Sequence, residues 1–208
     1  DLPLLLWALP YLDRDIPMPS PMSGVTATAA NLHRMGKAYA HMIGPVTEEK
    51  VGEAAGAARA AAVLRALRRA RFGLVGRPCP GMMDVSADET EIQRLLGPAT
   101  VQLELSALLG AAESASENEA AQLARELSAR VGAVNGPGQE QLVRSLKMYL
   151  GMKELVDRHR LDGYCVRCWP ELRDQHKTTV CLTHACMAEA GVPSTCEIDL
   201  PALITAFL

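Results

Sequence analysis

The chain has 208 residues, enough for one good-sized hydrophobic core or two small ones. A formal net charge of −3 and an aromatic content of 4% argue against nucleic-acid binding, which relies on basic surfaces and stacking rings. The apolar opening at residues 3–9 is too short and too poorly flanked for a signal peptide or a membrane helix, so no membrane partner is expected.

In chain order, residues 3–9 read as a buried strand ending at Pro10, followed by a loop through Pro17, Pro19 and Pro21. Ser23 or Thr26 can cap a helix running to Lys37, and Tyr39 to Ile43 reads as a short strand closed by Gly44 and Pro45. Thr47, with Glu48 and Glu49, opens a long Ala-rich helix to Ala70, a composition with high helix propensity. The basic cluster of Arg65, Arg68, Arg69 and Arg71 ends that helix, where cations complement the dipole.

A second unit starts at Arg71. Phe72 to Gly76 is a strand, Asp88 to Leu96 a helix, Thr100 to Leu105 a strand, and Ser106 begins a helical region. Glu119 to Val131 is amphipathic, with Ala120, Leu123, Ala124, Leu127 and Val131 on one face. A break at Asn135–Gly138 precedes a helix over Gln139–Arg158. Strand Tyr164–Trp169, helix Thr178–Ala190 and strand Ser194–Cys196 complete the pattern. This βα alternation predicts an α/β fold with a doubly wound, Rossmann-like parallel sheet. We expect residues 1–46 to be the tail of a first α/β domain, 47–70 a connecting helix and 71–200 a second α/β domain. Residues 201–208 are expected to begin a further domain. With no initiator Met and apolar runs at both ends, the chain is read as an internal piece of a larger protein.

Two motifs have ordinary structural explanations. The loop from Gly73 through Gly76 to Gly81 lacks both the dinucleotide fingerprint and the P-loop Lys-Ser/Thr pair. A strand-end turn accounts for it, although Arg77 could line a polar pocket there. Cys165-x2-Cys168 and Cys181-x4-Cys186, with His176 and His184 nearby, loosely imitate a zinc pattern. Cys165 and Cys168 fall on a predicted strand, and Val166-Arg167 is poor turn material. Core cysteines in a reduced, cytoplasmic protein are the expectation.

The carboxylates at the strand ends are more informative. Glu197 and Asp199 alternate with Cys196 and Ile198, so the two acids are expected on one face and Ile198 on the other. Pro201 marks a helix N-terminus just beyond. Glu171 follows Pro170 at the end of the neighbouring strand, beside Trp169. In an open α/β sheet, ligands bind outside the C-terminal ends of the strands. Carboxylates gathered there can hold a hard divalent cation or move protons.

Trp169-Pro-Glu-Leu172, the helix with Cys181, and Gly191-Val-Pro through Cys196-Glu-Ile-Asp199-Leu-Pro-Ala resemble the L-fucose/D-arabinose isomerase-like proteins. Leu4-Leu-Leu-Trp-Ala, Arg71-Phe-Gly-Leu-Val-Gly-Arg-Pro and Val101-Gln-Leu-Glu-Leu fit the same order of elements. The resemblance implies a metal-dependent aldose–ketose isomerase acting on a monosaccharide, with Mn²⁺ or another divalent cation as cofactor. It also implies a homo-oligomer. By position, Asp199 matches the ligand aspartate, Glu171 is the second carboxylate, and Glu197 lies at the same turn. Asp199 and Glu171 are thus the catalytic candidates, all three are metal candidates, and Arg77 and Trp169 are candidates for substrate contact. Where the family has a glutamate in the following helix, this chain has Cys181. A histidine ligand would come from a further domain, and the isolated chain is expected to be inactive. Two other readings are a non-catalytic sugar-binding or regulatory module and a zinc-stabilised structural domain.

Overall fold

A computed structural model describes residues 3–9, 21–131, 136 and 138–208. The loop with Pro17 and Pro19, and Asn135 of the predicted break, lie outside them. The chain divides into two compact units, residues 1–66 and 67–208.

In the first unit, β1 (Leu5–Ala8) pairs in parallel with β2 (Ala40–Ile43), in the register Leu5↔Ala40 to Ala8↔Ile43. Ala8 and Met42 are buried. Trp7 Nε1 donates to Gly44 O at 3.0 Å, tying the end of β1 to the turn after β2. Helix α1 spans Pro21–Arg34. It starts two residues before Ser23, at a proline whose missing N–H costs nothing in a first helical turn. Helix α2 spans Glu48–Leu67, and Thr47 Oγ1 accepts from Lys50 N at its start.

The second unit is a four-stranded parallel sheet in the order β4-β3-β5-β6. Its strands are β3 (Arg71–Val75), β4 (Ala99–Leu103), β5 (Gly163–Val166) and β6 (Ser194–Cys196). The central strands β3 and β5 are almost wholly buried, as strands covered on both faces must be. Period-2 alternation sorts their side chains. Phe72, Leu74 and Cys165 join a core with Ile92 and Leu96 of α3 (Glu89–Leu96) and with Leu200, Leu203 and Ile204 of the last helix. Val75, Tyr164 and Val166 face the other way, toward α4 (Leu105–Ser114), α6 (Gln139–His159) and α8 (Cys181–Glu189). Helices on both faces of a parallel sheet make the fold doubly wound. Between α4 and α6, helix α5 (Glu117–Val131) buries Ala120 and Ala124 against Leu142 and Leu146.

Two expectations are corrected. The strand predicted over Tyr164–Trp169 ends at Val166, because its neighbour β6 is only three residues long and leaves extended conformation at Glu197. The chain then turns through a cis Trp169–Pro170 peptide into an unpredicted short helix, α7 (Glu171–Asp174). Residues 201–208 form most of α9 (Leu200–Phe207), whose Leu203 and Ile204 join the core of the second unit. There Phe207 meets Phe72 edge to face at 5.4 Å.

Candidate functional site

The chain leaves β3, crosses through α3 to β4 on one side of it, and returns to place β5 on the other side. The crevice between the C-terminal ends of β3 and β5 is therefore the topological switch point, where open α/β sheets bind ligands. The segments after β3 and β5 and the end of β6 converge there. Gly76 turns the chain out of β3 with φ 97°, a left-handed conformation that glycine adopts without Cβ strain. Cys79, buried on the segment that follows, donates its thiol to Trp169 O at 3.7 Å and so joins the two loops. Burial pushes the Cys79 thiol up, with Glu197 adding to the effect.

Glu197 reaches this crevice through an unusual backbone. Glu197 and Ile198 are consecutive left-handed residues, at φ 55° and 67°. For a β-branched side chain that conformation is a true outlier, costing roughly 1–3 kcal/mol. Several contacts hold it: Glu197 N to Val166 O at 2.9 Å, Asp199 N to Cys196 O at 3.1 Å, and burial of the Ile198 side chain. Thr195 Oγ1 also donates to Asp199 O at 2.9 Å. Strain over-determined in this way is a mark of functional sites.

The left-handed pair overturns the expected alternation, which holds only for extended chain. Glu197 turns toward the end of β5. Its Oε1 accepts from Cys168 N at 3.3 Å, Trp169 N at 3.2 Å and Cys168 Sγ at 3.2 Å. Asp199 instead caps α9, its Oδ1 accepting from Ala202 N at 2.9 Å. Glu171, in the first turn of α7, is ion-paired with Arg167 on the β5 exit.

Three atoms of this cluster are buried without a hydrogen-bond partner among the described residues: Glu171 Oε2, Glu197 Oε2 and Arg167 Nε. An unsatisfied buried polar group costs about 1–3 kcal/mol, so native proteins rarely carry several together unless a ligand satisfies them. Trp169 lies beside them, 40% exposed, with the Arg173 guanidinium 5.5 Å above its ring. Arg77 is at the β3 exit, its side chain 80% exposed and 4.0 Å from Glu104.

The two free carboxylate oxygens are hard donors of the kind a divalent cation takes. Asp199 is occupied as a helix cap, and no three His, Cys, Asp or Glu side chains among the described residues group closely enough to hold a metal ion. The ligand trio expected from the sequence is therefore not assembled within these residues. The cysteines are all free. Cys79 and Cys165 are core residues, Cys168 and Cys186 are half-buried, and Cys181 and Cys196 are exposed, so the core reading holds for only part of the set. Burial is the main reason the Cys165 and Cys168 thiols are pushed up to about 12.

Sequence reasoning missed Arg167. The available signal was a lone cation at the end of an otherwise apolar strand, Gly-Tyr-Cys-Val-Arg, where a charge needs a partner.

No family model matches the chain. It is similar to sulfoquinovose isomerases. It is 25% identical over 146 residues to the sulfoquinovose isomerase of Priestia megaterium (strain ATCC 12872 / QMB1551), covering 70% of this chain and 32% of that protein. It is 24% identical over 211 residues to that of Clostridium sp. (strain MSTE9), covering 99% and 47%. With the enzyme of Alkalicoccus urumqiensis the identity is 20% over 210 residues, covering 100% and 47%. The chain thus spans from 32% to 47% of the length of these curated relatives. They support the resemblance to sugar isomerases in general, and not to the L-fucose/D-arabinose branch in particular. Among the described residues, no helix is long and apolar enough to cross a membrane.

Proposed function

We propose that this chain supplies part of the active site of a sugar aldose–ketose isomerase, at the crevice beyond β3, β5 and β6. The observation that carries the reading is the group of unpartnered buried atoms there: two carboxylate oxygens that accept and one guanidinium N–H that donates. A sugar in its open-chain form presents the complement, hydroxyl donors beside a carbonyl acceptor. The relatives' shared name points to the same class of reaction, and sulfoquinovose is the first substrate to test.

Aldose–ketose isomerisation moves one proton between C1 and C2 and another between their oxygens. Glu197 is the candidate for the carbon-bound proton, because its Oε1 is fixed by three donors while Oε2 remains free to act as a base. Arg167 Nε is suited to bind the sugar oxygen, and Glu171, held by Arg167, to pass the oxygen-bound proton. Trp169 offers an apolar ring at the mouth of the crevice. Among the described residues no group of His, Cys, Asp or Glu is placed to hold the Mn²⁺ or other divalent cation that the resemblance implies, so no step is routed through a metal. Asp199 acts by positioning, through the turn that aims Glu197.

The test is solvent-deuterium incorporation at C2 of sulfoquinovose and of plain aldoses, followed by NMR with the full-length protein. Glu197→Gln should slow exchange by roughly 10²–10⁴-fold, the usual worth of a general base. Glu171→Gln should slow it too. Wild-type exchange rates in both variants would refute the assignment. Sugar binding without any exchange in the wild type would favour a non-catalytic sugar-binding module.

A further inference from the structure

Helix α2 carries a side that nothing in the first unit covers. At 1.5 Å per residue its 20 residues form a rod about 30 Å long, and before Leu67 none of them is buried. At 3.6 residues per turn, Glu49, Gly52, Gly56, Arg59 and Val63 fall on one side of that rod. All but Gly56 are exposed, and Gly56 is half-buried. A Cβ added to Gly52 or to Gly56 would meet nothing within 4 Å. Glycine is less favourable than alanine inside an exposed helix, and the rest of this helix uses alanine freely. Packing among the described residues gives no reason for either glycine.

Charge on this side is separated along the axis. Glu48 and Glu49 stand in the first turn, and Arg59 lies about 15 Å beyond Glu49 at the helical rise. Neither Glu48 nor Arg59 has a side-chain partner among the described residues, whereas Glu53, on the flank, is held by Lys50 at 2.8 Å. The spacing is self-complementary. Let a second copy of the helix lie antiparallel, with Gly52 set against the partner's Gly56. Two turns further along, Arg59 then meets the partner's Glu49, with the partner's Glu48 one position away. A two-fold axis repeats the contact at the other end. The glycines leave room for the two backbones to approach closely at the crossing. Parallel pairing would instead set Glu48 against Glu48 and Arg59 against Arg59, like charge on like charge.

We propose that α2 is the docking surface for a second copy of this chain. The two helices cross antiparallel at Gly52 and Gly56, with reciprocal contacts between Arg59 and the partner's Glu48 and Glu49. The inference rests on this helix alone and is independent of the isomerase reading. Exposed ion pairs contribute little affinity by themselves, so the charges set direction and register, while close packing of the small residues supplies the contact.

The test is the mass of the full-length protein by light scattering after size exclusion, over a range of concentrations, for wild type and three variants. Glu48→Lys with Glu49→Lys sets cations against Arg59, and Arg59→Glu sets an acid against Glu48 and Glu49. Each should weaken self-association by roughly a hundredfold or more, the effect of like charges facing across an interface. An equimolar mixture of those two variants should recover the wild-type mass, as one copy of each, because every facing pair is then opposite in sign. Gly52→Leu with Gly56→Leu fills the crossing with side chains for which the single chain has room. Its far-UV circular dichroism spectrum and melting temperature should be unchanged or improved while its mass falls. A wild type with the mass of one chain would overturn the proposal. Charge variants that keep the wild-type mass would overturn it too, since the copies would then join through another surface. Dissociation that the mixture fails to reverse would overturn the antiparallel register. Unfolding of the leucine variant would also count against the proposal, by showing that α2 is already covered by its own chain.

Discussion

Asp199 gives the sharpest test, because its geometry and its place in the sequence motif predict different outcomes for one substitution. As a cap, Asp199 Oδ1 accepts from Ala202 N at 2.9 Å and satisfies one of the free N–H groups at the start of α9. That helix buries Leu200, Leu203 and Ile204 against Phe72 and Leu74, so a frayed first turn loosens core contacts as well. Removing a capping side chain costs about 1 kcal/mol, within a range of about 0.5–2. Asp199→Ala should therefore lose about 1–2 kcal/mol. Asn caps nearly as well as Asp, and Asp199→Asn should lose only the charge–dipole part, about 0.3–1 kcal/mol. Urea unfolding followed by far-UV circular dichroism measures both, with the slope in denaturant unchanged. If Asn is as damaging as Ala, or if Ala has no effect, the capping account is wrong. If Asn preserves stability yet abolishes turnover of the full-length enzyme, Asp199 acts through its carboxylate, as its position in the motif first suggested.

Three further outcomes are expected. A Cβ on Gly151 would lie 2.5 Å from Ala112 N and 3.0 Å from Ala111 C, so Gly151→Ala must push α6 off α4 and should cost about 1–3 kcal/mol or more; Gly110→Ala, with nothing within 4 Å, should be neutral or slightly stabilising, and equal effects in thermal melts would contradict this packing. Burial lowers the pKa of His184 from 6.5 to about 4, so between those values the unfolded chain binds a proton that the folded chain rejects. Its contribution is complete above pH 6.5, falls as the pH drops through that window and levels off near pH 4, with an upper limit of roughly 3 kcal/mol; His184→Gln should flatten this part of the pH–stability curve, and an unchanged slope would assign it to other groups. Ile198→Gly relieves a left-handed φ of 67° but empties a site that is only 6% exposed; the cavity cost, about 2–5 kcal/mol for a large aliphatic, exceeds the strain relieved, so net destabilisation is expected, and a more stable variant would mean the strain is larger than argued.

The sequence alone determined the order and type of the elements. Period-2 and period-3.6 apolar patterns, with breaks at Gly and Pro, located all six strands and most of the helices among the described residues, because these signals are local and depend on which face must be buried. Local chemistry also marked the start of α9: Asp199 followed by Pro201 is a cap and a first-turn proline. The same words misplaced the side chains around it, since alternation across Cys196–Asp199 assumes extended chain, and two non-glycine residues there are left-handed. Nothing in Glu-Ile announces that conformation; long-range bonds to Val166 and burial of Ile198 impose it. Tertiary structure likewise decided that Glu197 faces the end of β5 and accepts from Cys168 and Trp169. Those residues are brought together by the parallel pairing of strands about thirty positions apart in the chain. Such pairing depends on how the whole sheet closes over its two cores, which a pattern read along one dimension does not contain.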